Sequence, residues 1–214
     1  MGMTLTQKLR TAEKYLAEHD KNLAPLIKMY GSCNIKPHSD HYGELVSSIV
    51  AQQLSSKAGA VIWQRVLGLF GGKMPTPQQL IDINADKVRA CGVSYPKIGY
   101  MKDLAAHVLD GRLDLPHIST MPNEQLIEQL TAVKGIGDWS AHMFMIFGLG
   151  RLDILPVGDL GVRKAIMRLY KLKGLPDPAQ IVAIANKYQW HPYESVAAWY
   201  LWQSLDNSPQ PTRH

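Results

Sequence analysis

The chain has 214 residues, 46% of them hydrophobic, enough to bury one sizeable core or two smaller ones. Lys and Arg number 23 against 18 Asp and Glu, a net charge of +5, which suits a polyanionic partner and is equally the balance of an ordinary basic soluble protein. The two cysteines, Cys33 and Cys91, lie far apart with no Cys/His cluster, so the sequence excludes a zinc site, an iron–sulfur cluster and a disulfide framework, and points to a reducing compartment.

From the N-terminus, Leu5, Leu9, Ala12 and Leu16 fall on one face of a first helix, among charges that rule out a signal-peptide core. No stretch is long and apolar enough to span a bilayer, so a soluble cytoplasmic protein without a membrane partner is expected. Tyr42, Leu45, Val46, Ile49 and Val50 form a second face that breaks at Leu54-Ser55-Ser56, where either serine can cap the next helix. That helix carries Ala58, Val61, Ile62, Val66 and Leu69, and Gly71-Gly72 with Pro75 and Pro77 stops it. Further helical faces follow at Ile98/Met101/Leu104/Ala105/Val108, Leu126/Ile127/Leu130, Val162/Ile166/Leu169 and Val196/Ala197/Tyr200/Leu201. Period-two alternation is sustained nowhere, so the expected class is all-α, built from many short helices. The polar tail from Asn207 to His214 is expected to fray.

Two stretches carry chemistry. In the first, a helix ending near Ala132 runs into Gly135-Ile136-Gly137, and a new helix begins near Asp138. Two glycines around one apolar residue permit a tight hairpin and let backbone approach a ligand. N–H groups at the following helix start would face an anion such as a DNA phosphate. Carbonyls on the entering side, those of Thr131, Val133 and Gly135, are candidates for holding a Na+ or K+ that bridges to it. A plain helix connection stopped by glycine would read the same way. In the second stretch, Gly148 to Lys164, a Gly/Pro-rich loop delivers one carboxylate, Asp159, to the start of a helix.

Hairpin, helix, Gly/Pro loop and aspartate in this order resemble the helix-hairpin-helix (HhH-GPD) DNA glycosylase superfamily. The likeness runs from about Tyr42 to Leu205 and is to the 3-methyladenine DNA glycosylase II type, in a compact form without the N-terminal β domain. It implies two helical subdomains flanking a cleft, residues 42–150 forming one and residues 1–41 with 151–214 the other. It also implies action on damaged double-stranded DNA, in the bacterial nucleoid or a eukaryotic nucleus, with no required cofactor, and nothing in the sequence suggests more than a monomer.

Residue by residue, the resemblance makes Asp159 the catalytic carboxylate, stabilising positive charge on the deoxyribose as the glycosidic bond breaks. A helix N-cap is the alternative for the same residue. Relatives often carry a second acid at the position of Gly158, and Asp153, the other carboxylate of the loop, is read as structural. Trp139 stands where glycosylase/lyases carry their nucleophilic lysine. An indole forms no Schiff base, so the implied enzyme is monofunctional and leaves an abasic site. Trp139 would also wall a pocket for a cationic methylated purine through cation–π contact, with burial in a core as the alternative.

Trp202 matches a second pocket aromatic, with core packing as the alternative. Tyr42 and Met143 are further pocket candidates. Gln53, Leu54 and Ser55 match the loop that probes the duplex, Leu54 being the apolar wedge that fills the gap left by a flipped base. The alternative for Leu54 is a buried helix end. Lys134, Gly135, Ile136, Gly137 and Arg163 are candidate DNA contacts, with Lys164 beside them. Cationic alkylpurines are expected to leave much faster than hypoxanthine. The competing reading is a non-catalytic helix-hairpin-helix DNA-binding module.

Overall fold

A computed structural model describes residues 2–206. The tail expected to fray, Asn207 to His214, lies outside the described residues. Among those described there is no strand, and the all-α expectation holds.

The helix starts follow local chemistry. Helix α1 (Leu5–His19) opens on a capping box in which Thr4 and Gln7 satisfy each other's backbone N–H, and it buries Leu9, Ala12 and Leu16. Helix α2 (Leu23–Tyr30) follows at once. Asp40 caps α3 (His41–Ala51) by accepting from the Gly43 N–H. Of the two candidate serines, Ser55 caps α4 (Ser56–Gly68), accepting from the Ala58 N–H. Helices α5 (Pro77–Asp82) and α6 (Ala85–Ala90) are single short runs, too brief for periodicity to reveal. Helix α7 (Tyr95–Leu109) buries Ile98, Met101, Leu104 and Ala105 on the expected face. A 3-10 turn at Leu115–His117 precedes α8 (Asn123–Thr131). Helix α9 (Asp138–Met143) passes directly into a π-helical turn, Phe144–Gly148. Then come α10 (Leu160–Leu169), α11 (Pro178–Lys187) and α12 (Glu194–Asp206).

The chain divides into two compact units, 1–37 with 145–214, and 38–144. Both boundaries fall a few residues earlier than 42 and 150, and local bonding explains the second. The Gly150 and Arg151 N–H groups close back onto the Ile146 and Met145 carbonyls, and Gly150 lies against the ring of Pro37. Residues 145–150 therefore go with the first unit.

In the first unit α12 packs on α10, α2 and α1 around Leu16, Leu23, Trp190 and Tyr200. At its centre sits a fully buried carboxylate, Asp20. One oxygen accepts from the backbone N–H groups of Asn22 and Leu23 and the Asn22 side chain; the other accepts from the Tyr170 hydroxyl and the Trp190 indole N–H. Burial is affordable because every one of those groups is a donor. In the second unit α7 packs on α5, α3 and α6, α3 packs on α4, and α8 on α9. Leu45, Ile49, Leu80, Met101, Leu104 and Leu126 fill that core.

Candidate active site

The first unit carries the carboxylate. The loop that carries it is fastened to α12 through Ser195, a fully buried serine. The Ser195 hydroxyl accepts from the Ile154 N–H at 3.0 Å and donates to the Ile154 carbonyl at 3.2 Å, while the Ser195 N–H donates to the Leu152 carbonyl. Asp153 in the same loop is exposed, and its charge opposes the lowering that burial imposes on the neighbouring Arg151 guanidinium.

Asp159 takes an extended conformation at the N-cap of α10 and is 9% exposed. Its Oδ1 accepts from the Val162 N–H at 2.7 Å and from the Trp202 indole N–H at 2.8 Å. The cap role weighed from sequence is therefore real, and a second donor locks the same oxygen from α12. Trp202 is half-buried and tilted against Phe147, with 5.6 Å between ring centroids. Its indole is neither plain core nor simple wall, because its polar end is spent on orienting the carboxylate.

Gly161 makes this approach possible. A Cβ there would lie 3.0 Å from the Asp159 Oδ1 and 3.1 Å from the Trp202 Cδ1, tighter than side chains ordinarily tolerate. Sequence reasoning passed over both Gly161 and Ser195. A glycine in the first turn of a helix, where it costs stability, was the one signal available.

The second unit carries the hairpin and the probe loop. The Val133 carbonyl accepts from the Ile136 N–H at 3.1 Å, closing the turn. Gly135 has φ +83°, and the Tyr100 ring occupies the space a Cβ would need, so both backbone and packing demand glycine. Gly137 is different. Its backbone is extended, and nothing stands near its missing Cβ, so it leaves an open approach to the start of α9, which has no side-chain cap.

The side chain of Ile136, expected among the DNA contacts, is buried at 5% exposure, which leaves its backbone as the part able to make such a contact. The Lys134 side chain is exposed, but its backbone N–H is taken by the Asp103 carboxylate at 2.9 Å. Arg163, in the first unit, is half-buried. Its Nε donates to the Pro176 carbonyl at 2.8 Å and pins the connection between α10 and α11, while Lys164 beside it is exposed.

Trp139 is 52% exposed, which disposes of the core alternative. Met143 is half-buried at the end of α9. Tyr42 is also half-buried, and its hydroxyl is shielded without a hydrogen-bond partner. Burial, with the nearby Asp40 charge adding to it, raises the Tyr42 phenol above its ordinary range, so it stays protonated and able to donate. The probe loop is a true loop tip. Gln53 holds a left-handed φ of +58°, unusual for a residue with a side chain, and Leu54 is 40% exposed where a buried helix end was the alternative. Ser55 is occupied in capping α4.

Among the described residues no group of three or more His, Cys, Asp or Glu side chains is gathered as metal ligands. The carbonyls considered for a monovalent cation are partly engaged already. Val133 accepts from Ile136, and Gly135 accepts from the Gln52 side chain at 2.8 Å. Each carbonyl oxygen has a second lone pair, so these bonds leave both able to accept again.

The profile of the HhH-GPD superfamily of base excision DNA repair proteins matches residues 46–189. The chain belongs to this superfamily. Within it, DNA-3-methyladenine glycosylase 1 of Schizosaccharomyces pombe is 34% identical over 214 residues, which cover 96% of this chain and 92% of that relative. A solved DNA-3-methyladenine glycosidase from Bacillus halodurans is 40% identical, with a TM-score of 0.83 over 92% of this chain and 89% of its own. A solved S. pombe 3-methyladenine DNA glycosylase, in complex with abasic DNA, is 32% identical with a TM-score of 0.79, covering 94% of this chain and all of that one. The helical architecture of the described residues is the HhH-GPD glycosylase fold.

Proposed function

We infer that this HhH-GPD chain is a DNA glycosylase that removes alkylated bases, of the 3-methyladenine type, and that it does so as a monofunctional monomer on damaged double-stranded DNA. Near full-length similarity to 3-methyladenine glycosylases supports the base class. The single observation that carries the chemistry is Asp159, a carboxylate held at a helix start by two donors, at the place where the superfamily resemblance puts its catalytic aspartate.

A base inside a duplex must first leave the stack, and the exposed Leu54 at the tip of the probe loop supplies a wedge for the gap. Breaking the C1′–N bond then leaves positive charge on the deoxyribose, which the Asp159 carboxylate opposes. Water adds to C1′ from the side opposite the departing base, its proton passing to Asp159 or to solvent, and an abasic site remains. A purine methylated on a ring nitrogen is already cationic and departs as a neutral base, so it needs no proton from the enzyme. The exposed face of Trp139 suits such a cation. Trp139 offers no amine, so no imine forms and the strand stays whole. The hairpin backbone and Lys134 are the phosphate contacts in this reading, and a Na+ or K+ on the Thr131, Val133 and Gly135 carbonyls would add to them.

The test is incubation with methylated duplex DNA, assaying free bases and strand breaks separately. Methylpurine release with strands intact until alkali treatment is expected. Nicking by the pure protein would overturn the reading of Trp139, and DNA binding without any release would assign the chain a purely binding role.

A companion measurement addresses how the carboxylate is held. Gly161→Ala is expected to lower single-turnover excision by roughly tenfold, because the new Cβ forces the Asp159 carboxylate and the Trp202 indole to shift against each other and small misplacements are costly. DNA affinity should hardly change. An unaltered excision rate would show that the Trp202 contact does not position the reacting carboxylate.

A further inference from the structure

One face of α7 holds both nucleic-acid elements of the second unit. Lys97, Tyr100 and Asp103 follow one another at three-residue spacing, so they form a stripe along the helix. The Lys97 ammonium donates to the carbonyls of Val50 and Gln52, the frayed end of α3 that leads into the probe loop. A cation there also complements the negative end of the α3 dipole. The Tyr100 ring packs where Gly135 leaves room, and Asp103 accepts from the Lys134 N–H. A cross-strut completes the arrangement, since the Gln52 side chain reaches across to the Gly135 carbonyl. Just beyond Gln52 stands Gln53 in its left-handed conformation, which persists only if the flanking backbone is fixed.

We propose that Lys97 and Gln52 are positioning residues for duplex penetration, holding the Gln53-Leu54 tip at a set distance from the hairpin so that phosphate gripping and wedge insertion occur in register. The proposal rests on the reading of this chain as a base-flipping glycosylase and deepens it. Neither side chain touches the reacting atoms in this scheme. Their effect is on the cost of extracting a paired base, not on cleavage once it is out. Partial burial lowers the Lys97 pKa from its ordinary value, a cost the two carbonyl bonds offset.

The experiment is single-turnover excision of a methylated purine from two duplexes, one with the purine correctly paired and one with it mismatched and already loosened. Lys97→Met and Gln52→Ala are expected to slow excision by about tenfold on the paired substrate, on the scale of one lost hydrogen bond, and by less than about threefold on the mismatched one. Lys97→Arg, which still donates to both carbonyls, should restore most of the paired-substrate rate. Equal losses on both substrates, or no loss on either, would overturn the proposal. Gln52→Ala leaves the lysine at the end of α3 in place, so the comparison stays readable if Lys97→Met fails to fold. A wild-type protein that releases methylpurine from neither duplex would refute the proposed activity itself instead.

Discussion

Asp159→Asn is expected to reduce single-turnover base excision by about a thousandfold, a loss on the scale of removing a preorganised charge partner from a transition state. The substitution is informative because of what it keeps. The amide oxygen can still accept from the Val162 N–H and from the Trp202 indole, so the cap of α10 and the link to α12 survive. What disappears is the negative charge that the proposed mechanism sets against the deoxyribose. Melting temperature and affinity for methylated DNA should therefore stay near wild type while base release collapses. Asp159→Ala is a poorer probe, since it also removes the cap, at about 1 kcal/mol, and strands the Trp202 N–H. Excision by Asp159→Asn within about tenfold of wild type would move the catalytic role to another group.

The second large effect should be on stability. Asp20→Asn is expected to cost about 3 kcal/mol, measured by urea or thermal unfolding. Both oxygens of Asp20 are surrounded by donors: backbone and side-chain N–H of Asn22 and the Leu23 N–H on one, the Tyr170 hydroxyl and Trp190 N–H on the other. An amide must place its NH2 against one of these sets, so either orientation sets donor against donor in a fully buried site. The Tyr170 hydroxyl can turn to accept, but the Trp190 indole cannot. A loss below about 1 kcal/mol would show that the cluster relaxes around the amide, and that Asp20 is not the hub of its unit.

Asp20 also marks a limit of reading along the chain. Its partners Tyr170 and Trp190 lie far off in sequence, and an aspartate between two helical patterns looks like any turn residue. The same holds for Lys97, which reads as a solvated lysine beside the apolar face of α7 until Val50 and Gln52 are brought to it. Arg163 was legible as a basic residue but not as a clasp on the Pro176 carbonyl, and Ile136 was legible as a hairpin residue but not as a buried one. Short helices such as α5 and α6 hid because six residues hold too few turns to show a period.

The sequence by itself determined the all-α class, the long amphipathic faces, the hairpin glycines and the Gly/Pro loop that ends at Asp159. These are local properties, fixed by periodicity, capping and backbone freedom within a few residues. The order of those motifs was also enough to point to the HhH-GPD superfamily. Only the tertiary structure decided which groups the candidate residues meet: that Trp202 holds Asp159, that Gly161 makes room for it, that Ser195 fastens the loop, and that one face of α7 ties the probe loop to the hairpin. Such contacts join residues many positions apart, and their energies depend on burial and on the donor or acceptor opposite, which no local pattern encodes.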